Sequence, residues 1–355
     1  MTDDKDTFFG MQLSPMGQRR LQSFRNNRRG YWSLKVFLLL FGITLFAEII
    51  ANDKPIFILF DDKAYFPIVQ ALPETTFGGE FETETDYHDP FVKKLISEKG
   101  WTIWPPVKYH YRTVAYDLPK TAPSAPDGNH WLGTDDQARD VVARLIYGMR
   151  VSIIFGLLLT VISAVIGVTA GAIQGYFGGL LDLLAQRFIE IWSGLPAFFI
   201  LIIVSSVLVP SFWTLLIILM LFSWVGFVGV VRAEFLKVRN YDYIRSAKAL
   251  GVSDLVIMYR HILPNAMVAT LTFIPFTLTA SITSLTSLDF LGLGLPVGSA
   301  SLGELLAQGK ANLQAPWLGA TAFISLAFML SLLVFIGEAV RDAFDPRKLF
   351  NGGRS

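Results

Sequence analysis

Cysteine is absent from the 355 residues, which excludes disulfides, thiolate metal sites and thiol catalysis. Charge is scarce too: 17% of residues are Asp, Glu, Lys or Arg, against about 25% in an ordinary soluble domain. The net charge of +1 gives no reason to expect a nucleic-acid partner. What the chain has instead is apolar: 52% hydrophobic residues and a mean hydropathy of +0.47, bunched into long charge-free runs. Such runs belong to an integral membrane protein and not to a large soluble core.

A helix needs roughly 20 mostly apolar residues to cross the hydrocarbon layer. Six stretches qualify. They are Trp32–Ala51, Val151–Gln174, two within Ile191–Val231 separated by a turn at Val209-Pro210-Ser211, Ala266–Leu288, and one inside Ala311–Gly337. The flank before Trp32 is too long for an ordinary signal peptide, and the first run reads as a retained anchor. Residues 1–31 hold six bases (Lys5, Arg19, Arg20, Arg25, Arg28, Arg29), and 232–264 hold six more (Arg232, Lys237, Arg239, Arg245, Lys248, Arg260). The tail adds Arg341, Arg347, Lys348 and Arg354. Six spans put all three basic segments on one side, so the positive-inside rule places both termini in the cytoplasm.

The expected organisation is a basic N-terminal segment 1–31, a first transmembrane helix 32–51 and an external region 52–148. A five-helix membrane domain 149–341 and a cytoplasmic tail 342–355 follow. The external region shows no clean helical or strand period and has Pro-rich stretches, so it reads as irregular with short elements. It is either a docking surface for an external partner or a cap on the helices. His88, His110 and His130 lie in it without any close i,i+4 pair, and they read as loop histidines more readily than as a metal site.

The segment with the most information runs from Asp242 to Asn265. Ala247, Lys248, Ala249 and Leu250 favour helix. Gly251 suits a left-handed helix end, and Ser253 suits the cap of a second helix. Pro264 then precedes the fifth span. The segment reads as two short helices with a break between them, a rigid knob joined at both ends to membrane helices.

This segment resembles the cytoplasmic coupling loop of ABC-importer permeases: a Glu-Ala-Ala triplet, three residues, Gly, nine residues, then Ile-x-Leu-Pro. Arg245-Ser246-Ala247 stand at the triplet, Gly251 at the glycine, and Leu263-Pro264 at the end. Arg245 and Ser246 depart from the triplet, and His261 departs from the first isoleucine. His130-Trp131-Leu132-Gly133-Thr134-Asp135-Asp136, with Arg139-Asp140-Val141 and Arg144-Leu145-Ile146-Tyr147-Gly148, resembles the entry to the permease domain of dipeptide and oligopeptide importers. Ser287-Leu288-Asp289-Phe290-Leu291-Gly292-Leu293-Gly294 resembles their turn after the fifth span, and Arg341-Asp342-Ala343-Phe344-Asp345-Pro346-Arg347 their ending. The enlarged aromatic region 52–148 resembles the Yej-type branch.

The resemblance implies an all-α integral membrane protein of six transmembrane helices with type I ABC importer permease architecture and an enlarged periplasmic loop between helices 1 and 2. It implies a location in the bacterial inner membrane and import of oligopeptides, with peptide-nucleotide antibiotics of the microcin C kind as a narrower expectation. A permease for another solute, such as nickel or a different small peptide, is the alternative. The implied partners are a second, different permease, a cytoplasmic ATPase, a periplasmic substrate-binding protein and membrane lipid. Tyr243, Arg245, Ser246, Ala247, Leu250, Gly251, Arg260, His261, Leu263 and Pro264 are then the residues expected to meet the ATPase.

No cofactor or catalytic centre is expected in the chain itself. The nearest approach to a phosphate-binding loop, Gly303 to Gly309-Lys310-Ala311, is one residue too long and lacks the hydroxyl, so ATP is left to a partner. The spans contain no Asp and no His, which counts against an intramembrane protease. Neither midmembrane ionisable groups nor repeated halves suggest an ion-coupled carrier. Gly167, Gly171 and Gly175 recur every four residues and permit close helix approach, as static packing or as a moving interface. The fifth span is rich in hydroxyls. Thr279, Thr283 and Thr286 either line a polar pathway or bond to backbone carbonyls. Arg187 and Glu190 are spaced to pair on one helix face.

Overall fold

The computed structural model describes residues 7–8, 11–12, 15–116, 118 and 120–345. Lys5, Pro119, Pro346, Arg347, Lys348 and Arg354 therefore lie outside the described residues. Strands β1 (Thr7–Phe8) and β2 (Met11–Gln12) pair antiparallel ahead of α1 (Pro15–Asn26), α2 (Arg28–Leu45) and α3 (Ala47–Ile50). Strands β3 (Phe57–Phe60) and β4 (Lys63–Tyr65), helix α4 (Pro90–Lys99) and strand β5 (Gly100–Ile103) follow. The rest is helical: α5 (Val141–Phe177), α6 (Gly179–Ser193), α7 (Ala197–Val207), α8 (Phe212–Ser223), α9 (Val225–Val238), α10 (Asp242–Ala249), α11 (Asp254–Val256), α12 (Leu263–Phe290), α13 (Leu302–Ala311) and α14 (Pro316–Phe344). The chain forms two compact units. One comprises Met1–Leu38, Ile154–Leu285 and Ala327–Ser355, the other Leu39–Ile153 and Thr286–Leu326.

Among the described residues four helical stretches are long and apolar enough to cross a membrane: Val141–Phe177, Phe212–Val238, Asp254–Phe290 and Pro316–Phe344. A fifth arises if α6 and the start of α7 count together, though they meet at a 63° bend. The bend falls at Gly194-Leu195-Pro196, where proline has no N–H to continue the ladder. The first expected span differs most. Helix α2 begins at Arg28 and carries Arg28, Arg29 and Lys35 in its 18 residues, and the helix breaks at Phe46 before α3. The last apolar helix starts at Pro316, within the expected stretch, and Ala311 ends α13. Asn312 leaves helical geometry there, and proline suits a first helical turn.

In the first unit the glycine repeat explains how α5 packs. A Cβ on Gly167 would lie 2.4 Å from the Trp224 carbonyl oxygen, one on Gly171 2.8 Å from that of Val228, and one on Gly175 2.5 Å from the Phe235 Cβ. All three glycines therefore face α9 or Trp224 just before it, so close that no side chain fits between the backbones. The repeat is a packing seam within the chain.

The second unit contains what composition hid. Strands β4-β3-β5 form an antiparallel sheet, with Ile58 opposite Tyr65 and Thr102. Ile58 and Phe60 turn inward onto Phe77, Tyr87, Val92 and Ile96. Helix α4 covers them, its Asp89 cap accepting from the Phe91 amide at 2.7 Å. The structure is therefore mostly helical and not all-α, and region 52–148 holds a small sheet with its own core. No strand period was visible because β3 is Phe-Ile-Leu-Phe, apolar on both faces. Its outer face packs Phe57 against Phe66 and Trp101 with ring centroids 5.4 and 5.3 Å apart.

Candidate coupling element and hydroxyl-rich helix

Helix α10 opens with Asp242 and carries Lys248 in its last turn, charges that suit the ends of a helix dipole. Ile244 is its inward anchor. It packs with Phe235, Val238, Ile257, Ile262 and Tyr176. The helix ends in a left-handed turn at Gly251, φ +77°. The Gly251 amide bonds the Lys248 carbonyl and the Val252 amide bonds that of Ala247, both at 3.1 Å. Val252 and Ala247 pack against the same core cluster, which completes a Schellman helix end.

The second half departs from expectation. Ser253 starts the next helix through its carbonyl, which accepts the Ile257 amide at 3.0 Å, while its side chain makes no cap bond. That helix then widens into a π-turn over Ile257–Ile262 and runs into α12 without a break. Pro264, in the first turn of α12, offers no N–H to the Arg260 carbonyl, and a widened turn just before it accommodates that loss. The knob is thus one free helix and the first turns of a long one, not two free helices.

Tyr243, Arg245, Ser246, Leu250, Gly251, Arg260 and Pro264 are exposed, while Ala247, His261 and Leu263 are half-buried. The structure adds three residues that sequence reasoning missed: Leu255, 78% exposed, Tyr259, 76%, and Val256. With Leu250, 84% exposed, they form an apolar tip. Their i,i+4 spacing was visible but reads equally as the buried side of an amphipathic helix. The base of the knob is tied to the end of α5. The Tyr176 hydroxyl donates to Asp254, Lys248 lies 3.8 Å from Asp254, and Arg239 donates to the Gly175 and Tyr176 carbonyls at 3.2 and 3.1 Å. Nearby, Arg232 grips Asp182 with two bonds of 2.5 and 2.7 Å.

On α12, Thr279 donates to the Pro275 carbonyl at 2.9 Å and Thr283 to that of Thr279 at 2.8 Å. Thr270, Thr272 and Thr277 bond their own helix likewise. Thr283, Ser284 and Ser287 are exposed, Thr279 is half-buried and Thr286 is buried. The Arg187–Glu190 pair forms at 2.5 Å on the exposed surface of α6.

The second unit brings together charges that the sequence motif lists in a row. Asp135 accepts from the Gln137 and Arg139 amides, both at 2.9 Å, and pairs with the guanidinium groups of Arg139 at 2.6 Å and Arg144 at 3.3 Å. Glu304 on α13 reaches the same two arginines at 3.1 and 2.8 Å. Asp135, Arg139 and Arg144 are all buried. Burial, then the adjacent Asp135 carboxylate, push the Asp136 carboxyl above its ordinary range. His130 pairs with Asp140 at 2.8 Å, and Asp140 caps α5 through the Ala143 amide. His88 bonds the Lys108 carbonyl at 2.8 Å and stacks on Tyr109. Burial holds His88 and His110 below the usual imidazole range. Gly303 and Gly309 lie inside α13, where Cβ atoms would fall 2.3 Å from the Thr286 carbonyl oxygen and 2.4 Å from the Gly319 amide. Both are packing glycines within a helix.

Residues 163–349 match the family model described as binding-protein-dependent transport system inner membrane component. The chain is 59% identical over 337 residues to the inner membrane ABC transporter permease protein YejE of Escherichia coli, covering 95% of this chain and 99% of that one. It is 58% identical over 362 residues to the peptidoglycan transport system permease protein YejE of Agrobacterium fabrum, 95% of each chain. The dipeptide transport system permease protein DppC of Bacillus subtilis is 33% identical over 62% of this chain and 70% of its own length.

Proposed function

The chain belongs to the family of binding-protein-dependent transport system inner membrane components, and from that premise we propose that it forms half of a peptide pathway across the bacterial inner membrane. It is a transport component and not an enzyme. Relatives named for dipeptide and oligopeptide transport support the peptide class over nickel or another solute. Microcin C-type compounds remain the narrower proposal.

The observation that carries the reading is the apolar tip of the knob. Exposed leucine and tyrosine beside charged residues have no use in water, but they fit a groove on an ATPase subunit. The mechanism follows as alternating access. A periplasmic binding protein delivers peptide, ATP closes the partner ATPase dimer, the tip moves with it, and the spans shift between two openings. A second, different permease completes the pathway. Leu255→Asp should leave membrane level unchanged but weaken ATPase copurification about tenfold or more, as burial of one leucine is worth ~1.5–3 kcal/mol. Full copurification and full uptake by that variant would overturn the coupling assignment.

The proposed layout has six spans with both termini inside, segments 1–31, 32–51, 52–148, 149–341 and 342–355, and a coupling loop of about 232–264. The absence of cysteine makes labelling clean. Thr83→Cys should react with an impermeant maleimide added outside, and Lys237→Cys should not. The reverse pattern would refute this topology.

A further inference from the structure

Between Asp6 and Glu48 the chain has six bases and no acid. Five of them, Arg19, Arg25, Arg28, Arg29 and Lys35, are exposed. None forms an ion pair with a carboxylate among the described residues. The sixth, Arg20, is turned aside over the Phe344 ring at 4.7 Å, so α1 is held against the end of α14 while its other arginines stay outward.

The arrangement along α2 is graded. Asn27 separates α1 from α2 and caps the latter, its side chain accepting the Gly30 amide at 3.2 Å. From there Arg28, Trp32, Lys35 and Leu39 follow at helical spacing, and all four are exposed. Arg25 and Arg29 flank the start of the stripe. Lys35 folds back over the Tyr31 and Trp32 rings at 4.6 and 4.7 Å. Along one face the helix passes from guanidinium groups to an indole with a folded-back ammonium, and then to leucine. That is the order of phosphate, interface and acyl chain across the edge of a bilayer.

We infer that Arg25, Arg28 and Arg29, with Trp32 as the interfacial anchor, form a binding surface for anionic phospholipid headgroups in the leaflet that α2 enters. Guanidinium groups pair with phosphate diesters in two-bond geometry, and clustered bases beside a membrane helix gain from an anionic surface. The inference is independent of the coupling assignment. It needs only that α2 enters a membrane.

The test uses the full chain purified in detergent and offered equal phosphatidylglycerol and phosphatidylethanolamine, with retained lipid counted by native mass spectrometry. Wild type should retain phosphatidylglycerol in preference, and the preference should fall as salt rises. The triple variant Arg25→Gln, Arg28→Gln, Arg29→Gln should lose about tenfold or more of it. A control triple variant, Lys63→Gln, Lys94→Gln, Lys99→Gln, at exposed lysines elsewhere, should keep it. Equal retention of both lipids by wild type, or an unchanged preference in the arginine variant, would overturn the proposal. So would an unchanged preference with lost ATPase copurification, which would assign the patch to an acidic protein face. If the triple variant fails to accumulate, the wild-type salt series decides alone, and a salt-independent preference counts against it.

Discussion

Gly251→Val should reach the membrane at its normal level and yet fail to support ATP-driven uptake. A Cβ at this position would meet nothing within 4 Å, so the site has room for a side chain. The difficulty is the backbone. Its φ of +77° is left-handed, a conformation that costs an L-residue roughly 1–2 kcal/mol and a β-branched one more. Valine would pull the residue out of that region and break the two amide bonds that close α10 onto Lys248 and Ala247. The tip would then present Leu250 and Leu255 at a changed angle, while Ile244, Ile257 and Ile262 still hold the base of the knob in its core. The loss should appear as failed ATPase copurification or as ATP hydrolysis without uptake. Gly251→Asn should retain most activity, because asparagine tolerates the left-handed region. Normal level with normal uptake for valine would show that the turn is dispensable.

What could be read from the sequence depended on whether a residue's own chemistry decides its place. Gly251 could be placed because few other residues favour a left-handed helix end. Gly167, Gly171 and Gly175 marked a close approach, but their partner, α9, is a matter of tertiary packing. Leu255 and Tyr259 were passed over because spacing alone does not tell an exposed apolar face from a buried one. The sheet around Ile58 was missed because three short strands, one apolar on both faces, leave no alternation to detect. The hydroxyl-rich helix could be recognised as such, yet the carbonyl bonds of Thr279 and Thr283 needed coordinates. The break at Phe46 inside the first apolar stretch could not be read from composition, because apolar residues lie on both sides of it.

The largest stability effect is expected at Asp135. Its carboxylate is fully buried and is the inward counter-charge for Arg139 and Arg144, which are buried themselves. Two positive and two negative side chains balance there, but the other acid, Glu304, is 22% exposed at its side chain and reaches each arginine from one side only. Asp135→Ala would leave two buried guanidinium groups sharing one partly wet carboxylate. It would also strip acceptors from the Gln137 and Arg139 amides that shape the turn before α5. Removing one partner from a buried charge network costs about 3–5 kcal/mol, a large part of the stability of a typical domain. The variant should therefore accumulate poorly and show a markedly lower thermal midpoint in detergent. Asp135→Asn keeps an acceptor for the amides but loses the charge, and should fall between wild type and alanine. Glu304→Gln should cost less than either, since water reaches that side of the network and can take over part of its role. Removing the arginines together with the acids offers the decisive comparison. If the cost of Asp135→Ala comes from stranded charge, then Asp135→Ala combined with Arg139→Met should regain part of the lost midpoint. If it comes from the turn alone, the double variant should be no better than the single one, and the charge argument fails.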